Sequence, residues 1–104
     1  MDFRVKVTLR GILRRVVTSG VAKFDSNEAL LGCSYAKCRE YISDQFMPGM
    51  TWENHGEHWE IHHVLPMHTF DLTDEVQQRA CCNYNNLTPL WIEEHIAAHK
   101  DDGQ

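Results

Sequence analysis

The N-terminal third alternates apolar and basic positions at a helical period. Val7, Leu9, Ile12, Leu13, Val16 and Val17 recur among arginines, which predicts a helix over residues 3–17 that ends at Thr18-Ser19-Gly20. Gly11 weakens this helix by about 1 kcal/mol relative to alanine. After a connecting segment to Asn27, Ala29-Leu30-Leu31 reads as a short apolar turn stopped by Gly32. Ser34 is an N-cap for a helix over 35–46, because Tyr35, Cys38, Ile42 and Phe46 fall on one face. Met47-Pro48-Gly49-Met50 then breaks it as a turn.

The period changes at residues 57–65, which alternate as a strand. Trp59, Ile61, His63 and Leu65 share one face, and Glu60, His62 and Val64 share the other. Pro66 ends the strand. A short helix is predicted over 74–81. The turn-rich run Asn83 to Leu87 has room for a second short strand. Thr88-Pro89 reads as an N-cap followed by proline at the first helical position, predicting a last helix over 89–100. The sequence thus predicts an α+β domain, with residues 1–29 as a basic helical segment and 30–104 as the main unit.

Composition narrows the options. The 104 residues suffice for one modest core. No apolar run approaches the roughly 20 residues that span a bilayer, and the first residues lack an uninterrupted apolar stretch of the secretory kind. The expectation is a cytoplasmic protein with no membrane partner, a phage- or virus-infected host cell being one setting for it. Cys33, Cys38, Cys81 and Cys82 form no CxxC pair and read as reduced, apolar thiols. The net charge of −5 argues against a protein that coats nucleic acid indiscriminately. Yet residues 1–40 hold eight basic residues against four acidic ones, and residues 41–104 hold two against eleven. Such asymmetry fits a basic arm that meets phosphates, with Arg10, Arg14 and Arg15 in its centre; it also fits a solvated amphipathic helix.

The chemistry lies in the histidines. His95 and His99 are four apart, so on a helix their imidazoles face one ion. A third histidine would complete a three-nitrogen set with an open position, the usual form of a catalytic metal site. Histidines at this spacing are also common as surface pairs, and adjacent strand histidines as one buried and one exposed. His55, His58 and His68 read as surface residues or as hydrogen-bond partners of a ligand.

The chain carries LLGCS at 30–34, QF at 45–46, PGMTWENHG at 48–56, HWEIHHVLP at 58–66, FDL at 70–72 and NLTPLW at 86–91. In this ordered set it resembles the HNH endonucleases, in particular their small phage- and virus-type members. The resemblance implies a ββα-metal (His-Me finger) core, with the N-terminal helices packed on it, and metal-dependent cleavage of DNA, with RNA as an alternative substrate. His63 matches the general base and Asn86 the residue that orients it. His62, His95 and His99 match ligand positions for one divalent ion. Close relatives more often carry Asp and Asn at the first two, so this chain has the all-imidazole set of the colicin branch. That leaves Zn²⁺, Ni²⁺, Mg²⁺ and Mn²⁺ all open. Lys100 and Arg79 are expected near phosphate, and a homodimer or a larger protein would supply specificity. Two other readings stand beside this one: a metal-stabilised DNA-binding module that does not cut, and an interaction domain derived from a nuclease.

Overall fold

A computed structural model of the protein describes residues 3–20 and 22–93. The first helix, α1 (Phe3–Ser19), exists because Val5, Leu9, Ile12, Leu13 and Val16 form one continuous apolar stripe, and all five are buried. Gly11 lies off this stripe, where an added Cβ would meet nothing. Gly20 follows the helix for a different reason. A Cβ there would stand 2.5 Å from the Leu72 carbonyl oxygen, so only glycine lets the two backbones meet.

Helix α2 (Asn27–Leu31) starts at Ser26, whose hydroxyl accepts from the Ala29 N–H, and ends at Gly32 with φ +80°. Helix α3 (Tyr35–Ser43) is capped as expected by Ser34, which accepts from the Lys37 N–H at 3.1 Å. It stops three residues short of the predicted end. The amides of Gln45 and Phe46 bond three residues back, to Ile42 and Ser43, so the chain tightens into a turn. Phe46 still packs inward, its ring 5.3 Å from Trp52 and 5.0 Å from Trp59. Trp59 is fully buried, and its indole N–H reaches the Thr51 carbonyl at 2.7 Å and Asn54 Oδ1 at 2.8 Å.

Strand β1 (Trp59–His63) is shorter than the alternation predicted, because its pairing partner is only five residues long. That partner is β2 (Leu87–Trp91), antiparallel to β1 with Ile61 opposite Pro89, His62 opposite Thr88 and His63 opposite Leu87. Helix α4 (Glu75–Cys82), capped by Asp74, lies in the chain between them. The protein is therefore α+β. One core of buried side chains joins α1, α2, α3, α4 and both strands, with Cys38, Cys81 and Cys82 in it as unpaired thiols. Burial pushes the thiols of Cys38 and Cys82 up to about 12, as expected of inert apolar groups.

The helix predicted to begin at Thr88-Pro89 is corrected: both residues lie in β2, and the first helical residues are Ile92 and Glu93. The register explains why a proline is tolerated. The Val64 amide bonds the Asn86 carbonyl and the Ile92 amide bonds the His58 carbonyl, so bonded pairs fall at even positions of β1. Pro89 faces Ile61 in an unbonded pair, so its missing N–H costs the ladder nothing.

Candidate functional site

The alternation of β1 sends His63 to the face of Trp59 and Ile61, and His62 to the face of Glu60. The strand ends here because the chain turns through Val64 and Leu65 into Pro66. Asn86 fixes that exit. Its side chain is buried; Oδ1 accepts from the Leu65 N–H at 2.8 Å, while Nδ2 donates to the Leu65 carbonyl at 3.2 Å and to the Cys81 carbonyl at 3.1 Å. With the Val64–Asn86 backbone bond, the segment just after the histidines is held on both edges.

Both histidines line a cleft of about 560 Å³. One wall is α1, through Thr8, Ile12 and Arg15; the rim is His55 and Gly56 on one side and Pro66 to His68 on the other. Four imidazoles thus border one space. Thr8 carried no signal in the sequence, because it is a polar residue on the flank of an apolar helix. His55 had one: Gly56, with φ +90°, folds the loop back so that its amide bonds the Trp59 carbonyl at 2.8 Å, stacking His55 against Trp59.

The environment of His63 sets it apart from an ordinary imidazole. An ordinary imidazole titrates near pH 6.5; burial, with the charges of His62 and Arg15 beside it, pushes His63 down to about 4. Its Nε2 is sealed from solvent without a hydrogen-bond partner among the described residues. The ring is neutral at pH 7, with one nitrogen buried and unsatisfied.

The other expected residues are dispersed. Arg79 is drawn into ion pairs with Asp25 at 2.9 Å and Glu75 at 3.0 Å. Arg10 and Arg14 line a separate groove away from the histidines. His95, His99 and Lys100 lie outside the described residues. Of the expected ligands only His62 is described, and among the described residues no three His, Cys, Asp or Glu side chains converge as a metal-ligand set. No described helix is long and apolar enough to cross a membrane.

Comparison with known proteins gives two relatives, both from Acanthamoeba polyphaga mimivirus. "Uncharacterized protein L426" is 39% identical over 101 residues, 96% of this chain and 44% of the relative. "Uncharacterized protein L246" is 35% identical over 89 residues, 86% of this chain and 38% of the relative. The chain therefore spans less than half the length of these curated relatives. No protein-family model matches it, and no solved structure does.

Proposed function

We propose that the chain is an HNH-type endonuclease domain that hydrolyses phosphodiester bonds in DNA with one divalent metal ion. The observation that carries this reading is the Asn86 clasp: a buried asparagine that immobilises the chain leaving two adjacent strand histidines, one of them a neutral imidazole with an unpartnered nitrogen. The order supports it too. β1 ends in His62-His63, β2 follows antiparallel, and helical residues begin directly after it, as a ββα-metal core requires.

In this reading the His63 imidazole, which lines the cleft, takes a proton from the attacking water, a role typically worth ~10²–10⁴-fold in rate. Its depressed proton affinity keeps it in the accepting form through the neutral range, at the expense of base strength. Asn86 is a positioning residue that fixes the strand end and, through it, the ring. Arg15, across the cleft, provides positive charge for the phosphate. A divalent ion held by His62 with His95 and His99 would supply Lewis-acid polarisation of the phosphoryl group.

The test is cleavage of supercoiled plasmid by metal-stripped protein with Mg²⁺, Mn²⁺, Ni²⁺ or Zn²⁺ restored singly, beside His63→Ala. Metal-dependent cutting that the variant loses while it still binds metal is the expected result. If no metal restores cutting of supercoiled, linear or single-stranded DNA, while metal still raises the melting temperature, the chain is a metal-stabilised module and not a nuclease.

A further inference from the structure

The basic residues of α1 do not form one patch. Arg15 stands with Thr8 and Ile12 on the wall of the histidine cleft. Arg10 and Arg14, one helical turn apart, lie on the other flank of the buried stripe. There they border a shallow groove of about 230 Å³ with Leu13, Val17, Lys23 and Asn27. Three cations line this groove and no carboxylate does.

Several other basic side chains among the described residues are occupied. Arg79 pairs with two carboxylates, Arg39 lies 5.1 Å over the Trp52 ring, and Lys6 lies 5.5 Å from the centre of the Tyr35 ring. None of Arg10, Arg14 and Lys23 is paired with a described carboxylate, in a chain whose net charge is −5. Arg10 and Arg14 also repel each other as like charges at i, i+4. Folding gathers three like charges around one groove without neutralising them, so the arrangement is relieved by an anion from outside. A repeated anion fits better than a single one, since the cations extend along a turn of α1 and on to Lys23. Leu13 and Val17 form an apolar floor that leaves the guanidinium forks to reach outward.

We propose that this groove is a second nucleic-acid contact, an exosite that binds the phosphodiester backbone away from the histidine cleft. A strand there and a strand in the cleft would lie on opposite flanks of α1, so the helix sits between two phosphate tracks. In naming DNA as the polyanion the proposal rests on the nuclease reading; the charge arrangement of the groove does not.

The test measures binding without cutting, in the His63→Ala background, by fluorescence anisotropy of a labelled DNA duplex of about 20 base pairs with salt varied from about 50 to about 300 mM. The slope of log K against log salt reports phosphates neutralised, about 0.9 per contact. The Arg10→Gln/Arg14→Gln/Lys23→Gln variant is expected to flatten that slope by about 2–3, with its circular-dichroism melt unchanged. Arg10→Lys/Arg14→Lys, which keeps the charge, is expected to keep the slope. An unchanged slope in the neutral variant overturns the exosite, as does an equal loss in the lysine variant. So does a neutral variant that loses only binding of poly-glutamate, which assigns the groove to an acidic protein segment. Plasmid cleavage by the wild-type chain runs in parallel. A chain that does not cut yet loses slope on neutralisation sinks the nuclease reading and keeps the groove; a cutting chain with an unmoved slope does the reverse.

Discussion

Two buried amides hold this fold together, and they do so at different places for different ends. Gln78, on α4, is fully buried; its Oε1 accepts from the Phe24 N–H at 3.1 Å and its Nε2 donates to the Ala22 carbonyl at 2.7 Å. It ties the α1–α2 connection to α4, remote from the histidines. Asn86 makes the same kinds of bond to Leu65 and Cys81, but just past the end of the strand that carries the histidines. The chemistry is identical: each amide satisfies backbone groups that could find no ladder partner. What differs is the cargo. Gln78 carries a connection between helices, whereas Asn86 carries the strand end that bears His62 and His63. A buried polar residue is therefore informative about function through what it immobilises, and its burial alone does not distinguish the two roles.

The sharpest way to break the comparison is to remove each amide. Asn86→Ala leaves the Leu65 N–H, and the carbonyls of Leu65 and Cys81, without their side-chain partner. The expected cost is about 2–4 kcal/mol in a urea melt. If the nuclease proposal holds, plasmid cleavage per folded molecule should also fall by at least ~10²-fold. Gln78→Leu strands the Phe24 amide and the Ala22 carbonyl, for about 2–3 kcal/mol. Cleavage per folded molecule should not change, since nothing Gln78 touches borders the cleft. Equal effects of the two variants on cleavage would show that Asn86 acts through global stability alone.

Acid should separate the two ends further. His63 has a folded-state proton affinity depressed from 6.5 to about 4, so the unfolded chain binds the proton first as pH falls. Stability is present in full above about 6.5 and is lost as pH falls toward about 4. Nothing comparable touches Gln78. Amide exchange at Val64 and Leu65 should therefore accelerate between those pH values before exchange at Phe24 does, and His63→Gln should remove the difference. The smallest effect is expected at Arg79, which spans the same gap as Gln78 from outside by pairing with Asp25. Arg79 and its partners are well exposed, so Arg79→Gln should shift the urea midpoint least of the three, and less still at high salt.

The sequence made local features readable and hid those that depend on distant partners. The α1 helix, the Ser34 cap and the alternation of β1 are all written within a few residues, and the structure has each of them, though on α1 Val5 and not Val7 joins the buried stripe. The Thr88-Pro89 helix start failed because its local signal is equally that of a strand with proline at an unbonded position, and only the register to β1 decides between them. Gln78 gave no signal, since its partners lie 54 and 56 residues away. Asn86 stands out by resemblance, and its hydrogen bonds show what it holds. The split of Arg10 and Arg14 from Arg15 follows from helical angle, but which flank meets the histidines is set by how α1 packs.

The proline opposite Ile61 has a consequence beyond its own strand. A two-stranded sheet has two open edges, each a template on which another chain can add itself. Along the outer edge of β2, the Leu87 carbonyl is taken by Gln45 Nε2 at 3.3 Å, and two residues on, Pro89 offers no donor. An incoming strand would meet one occupied acceptor and one absent donor in succession. The strand pair can therefore present its histidines at one end while refusing to polymerise along the β2 side.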